Sequence, residues 1–200
     1  MDLQRLIKFV KLTNDFQEIE RVVLTRGSER YENDSEHSFQ LAVVAWYIID
    51  SEKLNLDIGK VLKYSLVHDL VEVYAGDTFA FDKDQALHDS KKERERLAYE
   101  KLKQEYAEFS EMTEMILSYE EMIDEEARFV YALDKIVPMM NMYLDGGRTW
   151  QRRGVTLADH IKNKTPKVAA HPHIEKYFNL IIELLQKEQD NLWPKDNEKI

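Results

Sequence analysis

Apolar residues recur at three- and four-residue spacing along nearly the whole chain, the period of amphipathic helices. Leu3, Leu6, Ile7 and Val10, followed by Lys11, set the first helix. Phe39, Ala42, Val43, Trp46, Tyr47 and Ile49 predict a second, buried on much of its surface, with Asn33, Asp34 or Ser35 as its cap. Ile58, Val61, Leu62, Ser65 and Leu66 carry a third into His68-Asp69, and Gly76 is the expected left-handed terminator of that helix. Ser90-Lys91-Lys92-Glu93 reads as a capping box for a helix to about Glu108, and residues 111–122 as a shorter one. Asp124-Glu125-Glu126 opens a long helix with acids where the helix dipole favours them. Its core face is Phe129, Leu133, Ile136, Val137 and Met140. His171-Pro172 starts the last helix, whose stripe is Ile174, Tyr177, Phe178, Ile181, Leu184 and Leu185. Residues 77–89 form the longest irregular segment, and residues 190–200 are polar and expected to fray. With no repeat or linker between these elements, the expectation is a single all-α domain over residues 1–200. Its core lies at about 21–185, in about seven or eight helices.

Composition narrows this picture. Two hundred residues suffice for one sizeable core, and four prolines with six glycines favour helices over a turn-rich β fold. The absence of cysteine excludes disulfides, iron–sulfur clusters and thiolate zinc sites, with a reducing cytoplasm as the expected compartment. No apolar run reaches the roughly 18 residues of a membrane span, and residues 1–15 carry mixed charge unlike a signal peptide. A net charge of −10 disfavours long nucleic acid, while leaving room for a small phosphate ester held by local arginines.

The candidate chemistry centres on Ser65-Leu66-Val67-His68-Asp69-Leu70-Val71-Glu72. On a helix, His68 and Glu72 share a face and Asp69 stands three residues from Glu72. Imidazole with carboxylate suits Zn, Mn, Co or Fe as divalent ions, with Mg also a candidate. His37 follows Asn33-Asp34-Ser35-Glu36 in the first turn of its helix, where the positive helix end keeps the ring neutral and able to bind metal. Asp134 precedes Pro138 by four residues, so a proline kink is expected beside it. With His37 and Asp134 there would be two nitrogen and at least two oxygen ligands, leaving positions open for water and substrate.

Plainer readings compete. A His-Asp pair alone is often a surface feature, and Asp134 would serve equally as a core carboxylate satisfied by a neighbouring helix. His171-Pro172-His173 is read as a helix start rather than a metal clip, and His88 and His160, in polar stretches, as solvated.

Taken together, these residues resemble the HD-domain phosphohydrolases. The order His37, His68-Asp69, Asp134 is similar to that superfamily's H…HD…D pattern. Arg30-Tyr31-Glu32-Asn33-Asp34-Ser35-Glu36-His37-Ser38 resembles the R-x-E-N-x-x-E-H-S segment of its 5′-deoxynucleotidase-like branch. The run from His68-Asp69 through Glu72 to Gly76-Asp77 resembles its H-D-x-x-E-x-x-x-G-D segment, and Ala132-Leu133-Asp134-Lys135 its final ligand helix. The resemblance covers roughly residues 21–150. It implies an HD-type helical bundle, a homodimer, one divalent metal, and release of phosphate from deoxyribonucleoside 5′-monophosphates. By position it implies His37, His68, Asp69 and Asp134 as ligands, Glu72 as the catalytic glutamate, and Asp77 as a second acid near the phosphate and attacking water. It also implies an upstream arginine on the phosphate, with Arg21 the better match by spacing and Arg26 the alternative. One departure stands out: Thr78-Phe79-Ala80-Phe81 replaces the prolines that usually follow G-D in the bacterial deoxynucleotidases. Phe79 and Phe81 there would stack on a base or form a hydrophobic lid.

The mechanism expected is metal-assisted phosphomonoester hydrolysis, with Glu72 moving a proton, Asp77 orienting water, and Arg21, Arg26 or Lys135 neutralising phosphate charge. Two rivals remain at this stage. One is an HD hydrolase of a (p)ppGpp-like or triphosphate nucleotide. The other is a non-enzymatic helical protein with a structural metal, which would need neither Glu72 nor Asp77.

Overall fold

In the computed structural model, which describes residues 2–193, eleven α-helices, one 3-10 turn and a two-stranded hairpin form where apolar spacing and side-chain caps coincide. The fold is predominantly helical, as the periodicity predicts. The hairpin, β1 (Glu20–Leu24) and β2 (Tyr31–Asn33), is an addition to the expected all-α order, and among the described residues the helices are more numerous than expected. Glu20-Arg21-Val22-Val23-Leu24 has too short an apolar run to separate strand from helix by period alone. Among the described residues no helix is long and apolar enough to cross a membrane.

The described chain divides into two compact units, residues 2–21 with 32–127, and residues 22–31 with 128–193. The first holds α1 (Leu3–Gln17), α2 (Asp34–Glu52), α3 (Ile58–Val67), α4 (Glu72–Ala75), α5 (Gln85–Glu105) and α6 (Ser110–Glu120), and α1, α5, α6 and the turn before α4 build a core cluster of Leu12, Phe16, Leu70, Val71, Leu102, Met112 and Ile116. Asn33 caps α2 and forms a capping box with Glu36, so one of the three proposed caps is selected. The α5 helix starts earlier than predicted. Asp84 caps it through the amides of Ala86 and Leu87, while Ser90 bonds back to the Leu87 carbonyl inside the helix. The irregular segment therefore shrinks to residues 76–84.

A further correction concerns α2. Ala42 and Ile49 are buried, but Phe39, Val43, Trp46 and Tyr47 are exposed, Tyr47 by 71%. Leu3, Leu6, Ile7 and Val10 of α1 are exposed as well. Helical period marks an apolar face without saying whether core or another surface will cover it.

The second unit takes up the hairpin tip, most of α7 (Glu125–Leu144), α8 (Arg148–Arg153), α9 (Leu157–Val168), α10 (Pro172–Lys187) and α11 (Gln189–Leu192). Asp124 accepts from the Ala127 amide at the start of α7, and the helix is continuous through Pro138. Pro172 is the first residue of α10, and His171 is buried against Phe129, matching the helix-start reading. His160, expected to be solvated, is instead 1% exposed and packs edge-on against Trp150. Burial pushes its pKa down to about 3. It faces inward although its sequence neighbours Asp159 and Lys162 are polar, because α9 is amphipathic. Of the tail expected to fray, residues 190–192 are helical as part of Gln189–Leu192 and Trp193 stacks on Trp150 at 4.7 Å, while residues 194–200 lie outside the described residues.

Asn33 fixes the first turn that carries Asp34 and His37. Asn33→Ala should lower stability by about 1 kcal/mol, read as a shift in the urea midpoint; an unchanged midpoint would show that the capping box is not needed.

Candidate metal centre

The site is built where α3 stops. Past Val67 the chain makes tight turns, with the Leu70 amide on the Val67 carbonyl and the Glu72 amide on the Asp69 carbonyl, before α4 resumes at Glu72. A single helix carrying His68, Asp69 and Glu72 is thus replaced by two helices and a junction. Packing explains the break. Leu70 and Val71 turn into the core around Leu12 and Ile116, and the junction gives His68, Asp69 and Glu72 to another cluster. Gly76 ends α4 at φ 74° and ψ 148°, a positive-φ conformation open to glycine but not the left-handed helical one expected.

His68 Nδ1 lies 3.0 Å from the Ser65 carbonyl oxygen. A carbonyl only accepts, so this bond keeps the proton on Nδ1 and a lone pair on Nε2. Nε2 in turn lies 3.1 Å from Asp69 Oδ2. Two electron-rich atoms at that distance repel unless a cation answers both, which a divalent metal held by His68 and Asp69 would do. The His37 ring is 5.4 Å from that of His68 between centroids. His37, His68 and Asp69 each offer one ligand atom, all within 4.8 Å of one another. The donor set and its spacing fit one divalent metal.

Around this triad the charge is lopsided. Arg21 on β1 meets Glu32 at 3.3 Å, Asp34 at 3.1 Å and Asp69 at 2.7 Å. Asp34 is fully buried, and burial followed by the negative charge of Asp69 pushes its pKa up to about 7 against the pull of Arg21. Burial, then Asp69, Asp34 and Asp77, holds Glu72 well above the usual carboxylate range. Asp77 is raised by burial and Asp69, with Arg21 opposing. These shifts place Asp77 in the same electrostatic cluster as Glu72.

The first unit therefore gathers His37, His68, Asp69, Glu72, Asp77 and Arg21. Arg21 binds carboxylates here. Arg26 and Asp134 belong to the second unit, Arg26 exposed in the hairpin loop and Asp134 buried on α7 beside Lys135. In the segment after Gly76, Arg94 of α5 holds the Ala75 carbonyl and the Thr78 hydroxyl, and Phe79 packs edge-on against Phe81. Sequence reasoning missed Glu32 and Asp34 as members of the cluster. Glu32 is the buried residue of β2, and Asp34 stands three residues before His37 on α2, a spacing that puts both on one face.

The HD domain family matches residues 13–175. The chain belongs to the HD-domain family. It is 29% identical over 181 residues to the Xenopus laevis 5′-deoxynucleotidase HDDC2, covering 89% of this chain and 86% of that protein. It is 31% identical to the Homo sapiens 5′-deoxynucleotidase HDDC2 over 133 residues, 65% of this chain and 63% of that protein. The crystal structure of a "predicted metal-dependent phosphohydrolase" from Magnetospirillum magnetotacticum superposes with a TM-score of 0.79. It is 31% identical, covering 94% of this chain and 96% of that one. A Pyrococcus furiosus protein, 22% identical with a TM-score of 0.62 over 90% of this chain and 99% of its own, shares the fold.

Raised carboxyls set a pH response. Asp34 ionises near 3.8 when unfolded and near 7 when folded, so between those values the metal-free native state binds more protons and stability falls as pH rises. In chelator-treated protein, Asp34→Asn should shrink the loss of urea midpoint between pH 4.5 and 7.5. An equal loss in both proteins would show that Asp34 is not a strained acid.

Proposed function

We propose that this protein is a metal-dependent phosphohydrolase that releases phosphate from deoxyribonucleoside 5′-monophosphates. The observation that carries the reading is the His37–His68–Asp69 triad with Glu72 beside it, in a chain of the HD-domain family. The relatives' name as 5′-deoxynucleotidases supports the substrate class. A structural metal alone would explain neither the buried Glu72 nor Asp77. The match over residues 13–175 takes in parts of both units and supports reading the chain as one HD domain. We place it in the cytoplasm, in keeping with a chain lacking cysteine.

His37, His68 and Asp69 hold the ion, with Asp134 the fourth expected ligand on the sequence resemblance alone. A divalent cation there supplies positive charge against the phosphate oxygens and makes water more acidic. Glu72, kept basic by burial among acids, takes the proton from the attacking water as the new P–O bond forms. The P–O5′ bond breaks, and that proton leaves with the nucleoside hydroxyl. Asp77 orients the water. Arg21, already the counter-charge to Asp69, turns part of its guanidinium to the phosphate, with Arg26 the alternative contact. Phe79 and Phe81 form an aromatic pair beyond Asp77 suited to the base or to a lid over it.

Phosphate release from deoxy- and ribonucleotides, including tri- and tetraphosphates, with Co²⁺, Mn²⁺, Zn²⁺ and Mg²⁺ in parallel, tests substrate and metal together. Deoxynucleoside monophosphates should be preferred. Glu72→Gln should lower turnover at least about 100-fold while the ion on His37, His68 and Asp69 stays bound; full turnover in that variant, or release from triphosphates alone, would refute the assignment.

We further propose a homodimer through the exposed apolar faces of α1 and α2, supported by Phe39, Trp46 and Tyr47 on the surface. Sedimentation should give twice the 23.7 kDa chain mass, and Trp46→Glu should give the monomer; a wild-type monomer would overturn it.

A further inference from the structure

The stretch of chain that presents Asp77 has little to hold it in place by itself. It starts from α4, a single turn of four residues, and helices that short are not stable alone. Ala75 closes α4, where carbonyls have no donor inside the helix, and the chain then turns at Gly76 with φ at 74°. Asp77 therefore needs an anchor from another element.

Arg94, in the third turn of α5, supplies it. One guanidinium nitrogen donates to the Ala75 carbonyl, and another donates to the Thr78 hydroxyl at 2.7 Å. These two oxygens flank Gly76 and Asp77, so one rigid planar group bridges the turn from both sides. The Arg94 head is itself held, with Nε 3.4 Å from Ser90 Oγ and Nη2 3.4 Å from the Leu87 carbonyl oxygen. Each of these partners is a neutral oxygen. Acids are plentiful in a chain of net charge −10, so geometry rather than ion pairing places this arginine. Thr78 is buried, and its hydroxyl needs a partner there. Burial raises the Asp77 carboxyl above its ordinary pKa, and the Thr78 backbone amide is among the groups that pull it back. Thr78 thus links Arg94 to Asp77.

We propose that Arg94 is a positioning residue for hydrolysis, its bridge between the Ala75 carbonyl and the Thr78 hydroxyl fixing the turn that aims Asp77. The inference rests on the reading that Asp77 orients the attacking water. Among the described residues Arg94 bonds to none of the acids around Arg21, so its effect runs through the turn. That effect falls on turnover rather than on binding. The aromatic pair beyond the turn has anchors of its own: the Asp82 amide donates to the Phe79 carbonyl at 3.0 Å, and His88 Nε2 donates to the Asp82 carbonyl at 2.9 Å. His37, His68 and Asp69 likewise lie outside the bridge. Loss of the bridge lets Asp77 drift while metal and nucleotide stay bound.

The test compares wild type with Arg94→Met and Thr78→Val in the whole Co²⁺-loaded chain, reading phosphate release from dCMP, bound metal and hydrogen exchange together. Arg94→Met should lower kcat about 100-fold, the loss expected when a reacting group is misplaced by about 1 Å, with KM within about threefold and bound Co²⁺ unchanged. Thr78→Val should lose less with the same signature, and the double variant should be no slower than Arg94→Met, because both changes open one bridge. The amides of residues 75–81 should exchange faster in Arg94→Met. A kcat within about threefold of wild type, or a loss carried by KM or by released metal, overturns the proposal. If Arg94→Met does not fold, the kcat and KM of Thr78→Val decide. A wild type that releases phosphate from no ester removes the hydrolase and the role in hydrolysis with it, whereas an active wild type with an equally active Arg94→Met removes only the role of Arg94.

Discussion

Buried negative charge is the constraint on which the rest of this structure depends. Asp34, Asp69, Glu72 and Asp77 are drawn out of water around Arg21, whose single positive charge cannot balance them. Carboxylates in that condition either take up protons, as the raised pKa values of Asp34 and Glu72 express, or take up cations. An imidazole with its lone pair fixed toward Asp69 favours the second outcome. On the proposed reading, a divalent ion would answer the charge that strains the metal-free protein, and the same burial holds Glu72 above the usual carboxylate range.

Local structure serves that arrangement. The junction between α3 and α4 lets consecutive residues serve opposite ends, Leu70 and Val71 closing the core while His68, Asp69 and Glu72 face the cluster. The Asn33–Glu36 capping box fixes the first turn of α2, and so the approach of Asp34 and His37. Arg94 ties the segment after Gly76 back to α5, which limits how far Asp77 and Thr78 can drift. Each device is a hydrogen bond or a packed side chain one or two residues from a polar group of the site.

Much of this was legible in the sequence, for identifiable reasons. His37, His68 and Asp69 stand out because imidazole and carboxylate among apolar neighbours need partners, and the motif spacing points to a family. The helix under Asp124-Glu125-Glu126 and the start at His171-Pro172 are local signals, and local signals survive folding. The break after Val67 was hidden because a one-turn interruption leaves the three- and four-residue spacing nearly intact. Asp34 was hidden behind its resemblance to a cap, a role Asn33 fills. His160 misled because its sequence neighbours are polar, although a helix presents neighbours to different sides. The exposed Trp46 and Tyr47 show the limit of periodicity, which finds a face and not what covers it.

The central claim is that His37, His68 and Asp69 hold a divalent metal. X-ray absorption on the Co²⁺-loaded protein tests it most directly, because imidazole rings give outer-shell scattering that carboxylates and water do not. The account predicts nitrogen and oxygen ligands at about 2.0–2.2 Å with two imidazoles, one of them lost in His68→Ala. An all-oxygen shell, or a spectrum that His68→Ala leaves unchanged, would contradict it.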